Sequence, residues 1–375
     1  MKMKKTMAMV LSLALLFSMA LVGCDTSSSA SKSASSAPSA SSASSASSSS
    51  SSGDEKVVVG VALPWLGTQN WKEAQKYFDE KLTAAGFKPM ILQADNKSAN
   101  QLAQIEAMIE QGAKIIVVAP VDAAQLTLVL EKAKEQGVYI ISYDRLIENT
   151  TAIDGVVQYG SIETGRLQGE ALLKGLATRG PGPYNIEIFA GCPTDPNAVS
   201  FYEGALQVLQ PLIDNGDLIV VSKQTDFATV STPEWNSPKA QARMDTLLAG
   251  FYSDKEIHGV LVPNDSIARA IITSCEQAGQ PLPITSGLDA ENESVVWVWE
   301  GRQYCTIDKP TLPLVDLTMD IIKSLQDGKG MPKPDSITNN GKIDVNLYEL
   351  TPTIVTKDNI KDVFKNDEER MALMK

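Results

Sequence analysis

The chain has 375 residues, 43% of them apolar and 21% charged, with a formal net charge of −12. That acidity excludes the basic footprint nucleic acid needs, and its sign says little about other partners. A single histidine, His258, and no CxxC pair argue against a zinc centre or a histidine-based triad.

Lys2, Lys4 and Lys5 precede an apolar run over 7–22, too short and wrongly flanked for a membrane-spanning helix. The run ends in Leu21-Val22-Gly23-Cys24, a pattern that lipoprotein signal peptidase cuts. Residues 1–23 are therefore expected to be a signal peptide, with Cys24 the lipidated N-terminus of the mature chain. The bland alternative is an ordinary signal peptide with an incidental cysteine. Loss of the three leader lysines takes the net charge from −12 nearer −15. Within residues 24–55, the stretch 27–53 is almost only Ser and Ala and cannot bury apolar surface. It is expected to be a disordered tether with an r.m.s. span of roughly 30 Å. No later segment has the length needed to span a bilayer.

The remaining residues, about 320 from 57 onward, exceed one ordinary core and suggest two domains. Apolar runs over 57–62, 89–93, 114–119 and 138–142 predict strands, separated by helical spacing over 70–85 and around Leu102, Ile105, Met108 and Ile109. Two Glu-Gln-Gly triplets, at 110–112 and 135–137, sit one strand-helix unit apart and predict helix ends. The pattern continues with strands at 153–158, 185–190, 218–222 and 260–262, and a helix over 163–177 with Ser161 as N-cap. Strand-helix alternation implies parallel sheets with helices on both faces, here two doubly wound lobes. Beyond Cys24 the cysteines are Cys192, Cys275 and Cys305, so at least one thiol is free and a Cys275–Cys305 bridge stays open.

In such sheets ligands bind outside the carboxyl ends of the strands. The residues there are Trp65, Asn70 and Trp71, then Asp95 and Asn96, then Asp144 and Arg145. Further on come the loop 191–197, Asn264 and Asp265, the loop 286–290, and Asp308 and Lys309. No GxGxxG or GxxxxGK[ST] loop occurs, so no nucleotide cofactor is expected. Carboxylates, amides, cations and indoles suit a small, neutral, polyhydroxylated ligand: hydroxyls donate and accept, and sugar C–H faces stack on indoles. Each residue also has a bland reading. Asp95, Asp195 and Asp265 are natural N-caps; Asp265 is taken as a cap, with Asn264 as the contact. Asp144-Arg145 alone is as readily a solvated turn as a ligand clamp. Trp297 and Trp299 read as packing residues, Cys192 as a bystander in a strand-end loop, and His258 as structural.

Ser142 to Ile147 (SYDRLI), Gly191 to Ala198 (GCPTDPNA), Ala240 to Asp245 (AQARMD), Ser286 to Ala290 (SGLDA), Asn339-Asn340-Gly341 and Leu350-Thr351-Pro352 occur in order. Together they resemble the xylose-binding and multiple-sugar-binding receptors of bacterial ABC importers over about residues 56–365. The resemblance implies a type I periplasmic-binding-protein fold: two Rossmann-like lobes with parallel sheets, joined by three hinge strands and closing over an aldose. It implies an N-terminal lobe of 56–160 with 309–345, and a C-terminal lobe of 161–308 with 346–375. By position, Asp144 and Arg145 would bind ring or anomeric oxygens, Asn197, Asn264, Asp289 and Lys309 would bind hydroxyls, and Trp71 and Trp235 would stack. Asn70 and Asp195 complete the expected ligand set. Asn70 stands where these receptors often carry Arg, and Asp195-Pro196-Asn197 replaces a more common Asp-Asn-Asn.

The implied protein is an extracytoplasmic, monomeric lipoprotein that touches the membrane through its anchor alone and delivers an aldopentose or aldohexose, such as xylose, glucose, galactose or arabinose, to an ABC permease with its ATPase. A sensor that shows its closed form to a chemoreceptor or histidine kinase is the alternative. A hydrolase would need paired carboxylates in an apolar, pKa-raising pocket; here the acids accompany Asn, Arg and Lys, so no enzyme is expected. Arg145 is expected to matter for binding and little for folding, because it follows a strand that ends at a wet cleft.

Overall fold

The structure, a computed structural model, describes residues 56–375. The expected signal peptide, the lipidation site Cys24 and the expected linker 24–55 lie outside the described residues. The chain begins with β1 (Val58–Leu63), α1 (Gln69–Ala84), β2 (Lys88–Gln93), α2 (Ser98–Glu110), β3 (Ile115–Val118), α3 (Thr127–Glu135), β4 (Tyr139–Tyr143) and β5 (Gly155–Tyr159). It crosses into a second lobe for α4 (Ser161–Leu176), β6 (Tyr184–Ile188), α5 (Pro196–Asp214), β7 (Leu218–Val220), α6 (Phe227–Val230), α7 (Ser237–Phe251), β8 (Gly259–Leu261), α8 (Asp265–Gln277), β9 (Ile284–Thr285), α9 (Asn292–Glu300) and β10 (Cys305–Asp308). It returns for α10 (Thr311–Gln326), β11 (Ser336–Asn339) and β12 (Asp344–Leu350), then crosses again to β13 (Thr353–Thr356), α11 (Ile360–Val363) and α12 (Glu368–Leu373).

The first lobe holds a seven-stranded sheet ordered β11-β12-β5-β4-β3-β1-β2, parallel except where β11 pairs antiparallel with β12. The second holds a parallel sheet β7-β6-β8-β9 beside an antiparallel pair, β10 and β13. The expected lobe division at 345/346 cuts through β12, whose residues 346–350 pair with β5; the third crossing comes after Leu350. Helices cover both faces of the sheet. Val59, Val61, Leu63, Ile115 and Val117 face α1 and α10, while Ala62, Ile116, Val118 and Ile140 face α2 and α3. That two-sided burial is why these strands read as unbroken apolar runs rather than alternating ones.

α2 and α3 end at Glu110 and Glu135, and Gly112 and Gly137 follow at φ +76° and +75°, as the Glu-Gln-Gly triplets predict. Two expected caps are not caps. Ser161 is the first residue of α4 after Gly160, and its hydroxyl donates to Asn197 Oδ1 at 2.8 Å. Asp95 lies in the left-handed region and accepts from Gln93, two residues before Lys97 caps α2 without a side-chain bond. Where α4 crosses α5, backbones nearly touch: a Cβ on Gly165 would sit 2.0 Å from Phe201 O, and one on Gly204 2.1 Å from Ile162 O. Glycine at both positions lets α5 approach, and α5 carries Asn197 and Phe201.

Cys192, Cys275 and Cys305 are all free, so the open Cys275–Cys305 bridge is absent. Burial pushes both Cys275 and Cys305 thiols up to about 12. His258 Nδ1 accepts from the Asn185 N–H at 2.8 Å beside β6. Trp299 packs against the core of the second lobe's last helices, and Trp297 lies under the Arg302 guanidinium at 3.6 Å.

Candidate functional site

The carboxyl ends of the strands of both lobes meet at the crossings, and a cavity of about 390 Å³ lies between them. All ten residues chosen from the sequence line it: Asn70, Trp71, Asp144, Arg145, Asp195, Asn197, Trp235, Asn264, Asp289 and Lys309. Asn70 and Trp71 stand in the first turn of α1, and Asp144 and Arg145 directly follow β4. Asp195 caps α5 and Asn197 is the second residue of that helix; Asn264 caps α8; Lys309 sits on the second crossing. Trp65, Thr68, Phe201 and Leu288 also line the cavity and were not chosen. Trp65 stood among the strand-end residues and packs against the cores of both lobes. Leu288 stood in the strand-end loop 286–290, whereas Thr68 and Phe201 carry no signal beyond a helix start or an apolar core position.

The charges are buried and paired. Arg145 is 5% exposed and Asp195 2%. Arg145 Nε lies 2.8 Å from Asp195 Oδ2 without a well-aligned hydrogen bond, Nη1 donates to Pro120 O at 3.0 Å, and the guanidinium lies 5.1 Å from the Trp71 ring centre. Asp195 also accepts from the Asn197 N–H and from Trp235 Nε1, each at 3.0 Å. Its carboxyl is nonetheless held above the usual range by burial, against the pull of Arg145. Lys309 Nζ reaches Asp144 Oδ1 at 3.4 Å and lies 4.0 Å from Asp289 Oδ1. Burial works against the Lys309 charge, but Asp144 and Asp289 hold its pKa above the usual lysine value. Burial pushes the Asp289 carboxyl up to about 7, with Lys309 opposing. Asn197 Nδ2 donates to Asp144 O at 2.8 Å, and Asn70 Oδ1 accepts from Thr68 Oγ1 at 2.5 Å.

Three lining residues lie in the left-handed region: Asp144 at φ +62°, Trp235 at +54° and Asp289 at +88°. Such backbone costs of order 1–3 kcal/mol per residue and persists where its surroundings hold it. For Asp289 the holder is Asp265, which corrects the cap assignment: the α8 cap is Asn264, whose Oδ1 accepts from the Ile267 N–H at 3.1 Å. Fully buried Asp265 accepts from the N–H groups of Leu288 and Glu291, from Gln303 Nε2 and from Thr306 Oγ1, all at 2.8–3.1 Å. It ties down the loop on both sides of Asp289. Trp235 is pressed against the chain at Gly191, where a Cβ would lie 2.1 Å from the indole.

The lobes also touch around the cavity's rim. Gln69 bonds Glu291 and Asn292, Asn96 Nδ2 donates to Glu234 O at 3.0 Å, and Thr194 bonds the backbone of Val121 and Ala123. The conformation is therefore a closed one. Cys192 does not line the cavity; its sulfur accepts from the Glu234 N–H at 3.3 Å. Among the described residues, no group of three or more His, Cys, Asp or Glu is arranged to hold a metal ion.

A family model described as periplasmic binding protein domain matches residues 59–330. Over 316 residues the chain is 38% identical to the multiple sugar-binding periplasmic receptor ChvE of Rhizobium radiobacter, covering 82% of this chain and 89% of that protein. Over 314 residues it is 30% identical to the D-xylose-binding periplasmic protein of Escherichia coli K12, covering 84% and 91%. The crystal structure of an ABC transporter solute-binding protein from Clostridium phytofermentans with bound β-D-glucose superposes with a TM-score of 0.81 at 32% identity, covering 85% of this chain and all of that one. The fold is the type I form, and the chain belongs to the periplasmic binding protein domain family.

Proposed function

We propose that this protein is the extracytoplasmic solute receptor of an ABC importer and captures a neutral monosaccharide, an aldopentose or aldohexose, between its lobes. One observation carries the reading: Asp144, Lys309 and Asp289 form an acid–cation–acid row on the wall of a closed cavity that also presents Asn70, Asn197, Asn264 and three indoles. Carboxylates accept from hydroxyls, the ammonium and amides donate to sugar oxygens, and indoles cover C–H faces. The curated relatives bind xylose or several sugars and two solved relatives hold glucose, which supports the same ligand class here. In this reading Asp195 acts through others, because its oxygens are taken by Asn197, Trp235 and Arg145.

A thermal-shift screen of the body from residue 56 tests it, since a ligand that binds only the native state raises apparent stability. D-Xylose, D-glucose, D-galactose or L-arabinose should raise the melting temperature, with a dissociation constant of about micromolar or below. Amino acids and nucleotides should not. A shift with an amino acid and none with any sugar overturns it. The sugar should be recovered unchanged after incubation, as a receptor requires. The receptor is anchored through a lipid on Cys24: Cys24→Ala should abolish incorporation of labelled fatty acid, and unchanged labelling would refute the anchor.

A further inference from the structure

We infer that Gln69 and Asn292 form a closure latch that sets how long a captured sugar is held without choosing which sugar it is; this rests on the receptor reading above. Gln69 is the first residue of α1 in the first lobe, and Asn292 the first residue of α9 in the second. Gln69 Nε2 donates to Asn292 Oδ1 at 3.1 Å, and the Asn292 N–H donates back to Gln69 Oε1 at 2.8 Å. A third bond joins the Gln69 N–H to Glu291 Oε1 at 3.3 Å. Neither Gln69 nor Asn292 lines the cavity.

The other rim bonds all end on backbone carbonyls. Among the described residues, only at Gln69 and Asn292 do two side chains supply the bonding across the rim. Each is braced within its own lobe: Gln69 Nε2 also donates to Glu73 at 2.7 Å, and Asn292 Nδ2 to Glu369 at 2.6 Å. Glu291 is held by Arg269 at 2.6 Å. A preoriented pair loses less side-chain freedom when it closes. The latch is also fused to the cavity on each side. Gln69 sits between Thr68 and Asn70, and Asn292 lies three residues past Asp289 on the loop that Asp265 pins. A sugar that draws Asn70 and Asp289 together brings the latch partners into register.

Because the partners ride on different lobes, the bonds exist only when the lobes close. Apparent affinity scales with the fraction of the protein in the binding-competent state. The latch must therefore multiply the affinity of every sugar by one factor, whereas a cavity residue changes the ratio between sugars. The test is isothermal titration and stopped-flow release with D-glucose and D-xylose on wild type, Gln69→Ala, Asn292→Ala and the double variant. Each single variant should weaken both sugars equally, by about three- to thirtyfold, mainly through faster release. The double variant should be no weaker than about the worse single one, as expected of two halves of one contact. Affinities within about twofold of wild type, or a changed glucose-to-xylose ratio, overturn the latch. Should an alanine variant fail to fold, Gln69→Glu takes its place, since it keeps the shape but loses the donor to Asn292 Oδ1 and sets a carboxylate against Glu73. A wild type that binds neither sugar overturns the receptor reading alone. Small-angle scattering then judges the latch: Gln69→Ala must raise the radius of gyration of the ligand-free chain, and an unchanged value refutes it.

Discussion

The loop after β6 and the loop after β9 both leave a strand of the second lobe, both run into a helix, and both bring a buried aspartate to the cavity. Asp195, in the first, has three protein donors or cations on its two oxygens. Among the described residues, Asp289, in the second, has no side-chain hydrogen bond, only Lys309 at 4.0 Å. An ionised carboxylate offers about four acceptor sites, so Asp195 is nearly spent and Asp289 is open. The second loop's backbone is what the protein secures, through Asp265, leaving the Asp289 side chain to the ligand. Lining a cavity and meeting its ligand are thus separable properties, and free hydrogen-bonding capacity distinguishes them.

The sharpest break of this contrast is Lys309→Met. It strips the cation from between Asp144 and Asp289. Removing one partner of a buried pair costs about 3–5 kcal/mol, which as lost binding is roughly a hundred- to several thousandfold. Isothermal titration reads it, and a loss under about tenfold would mean the open carboxylate does not serve the sugar.

Arg145→Ala probes the other loop. From the sequence it was expected to spare the fold, but Arg145 is buried against Asp195, Pro120 and Trp71 rather than standing in a wet cleft. Binding should weaken by roughly ten- to a hundredfold. The melting temperature should also fall, by about 6–20 °C, because Asp195 is left buried without its cation, at about 3–5 kcal/mol, and each kcal/mol is worth roughly 2–4 °C. A fall of only a degree or two in the ligand-free variant would show that Asp195 does not depend on Arg145.

The pH dependence should come from the open loop. The Asp289 carboxyl is raised from 3.8 to about 7 in the folded protein. Its folded pKa exceeds its unfolded one, so the stability it contributes is present below the unfolded value and is lost as pH rises toward about 7. Sugar hydroxyls donate to the ionised form, so affinity should move the opposite way. It should rise by up to about tenfold per unit below pH 7 and level off above. Asp289→Asn should flatten the affinity curve, while buried Asp265 and Asp308, raised to about 8 and about 6, keep a slope in the stability curve. Affinity that falls as pH rises through 7 would show the neutral carboxyl acting as a donor.

Much of this was legible because strand-helix alternation places function at strand ends, and strand ends are visible as the places where apolar runs stop. Gly112 and Gly137 marked helix ends through a backbone requirement that is local. What failed was non-local or finer than one residue. The capping signal covers both Asn264 and Asp265, and only the fold shows that Asn264 caps while Asp265 braces a loop more than twenty residues away. The Arg145–Asp195 pair joins positions 50 apart on different lobes, so neither residue's chain context shows that Arg145 is buried. Gln69 and Asn292 are 223 positions apart, and neither amide stands out from its neighbours. Phe201 lines the cavity from a position in α5 that follows the same apolar spacing as the core.

Trp235→Phe should have the smallest effect and tests whether the two loops are independent. The substitution keeps an aromatic face but removes the Nε1 donor, which sits 3.0 Å from Asp195 Oδ2. Asp195 retains the Asn197 N–H and Arg145, so the loss should fall near the low end for such a bond, about 1 kcal/mol. Part of that is stability, since Trp235 holds a left-handed backbone against Gly191 and packs in the core of the second lobe. Sugar affinity should drop by only about two- to fivefold. The midpoint of the affinity–pH curve should stay where Asp289 sets it, because Lys309 and not Trp235 is the group paired with that carboxyl. Titration of the variant across pH 5–9 decides the point. A shifted midpoint would mean that the two carboxylates are coupled through the cavity, and the division into a spent loop and an open one would have to be given up.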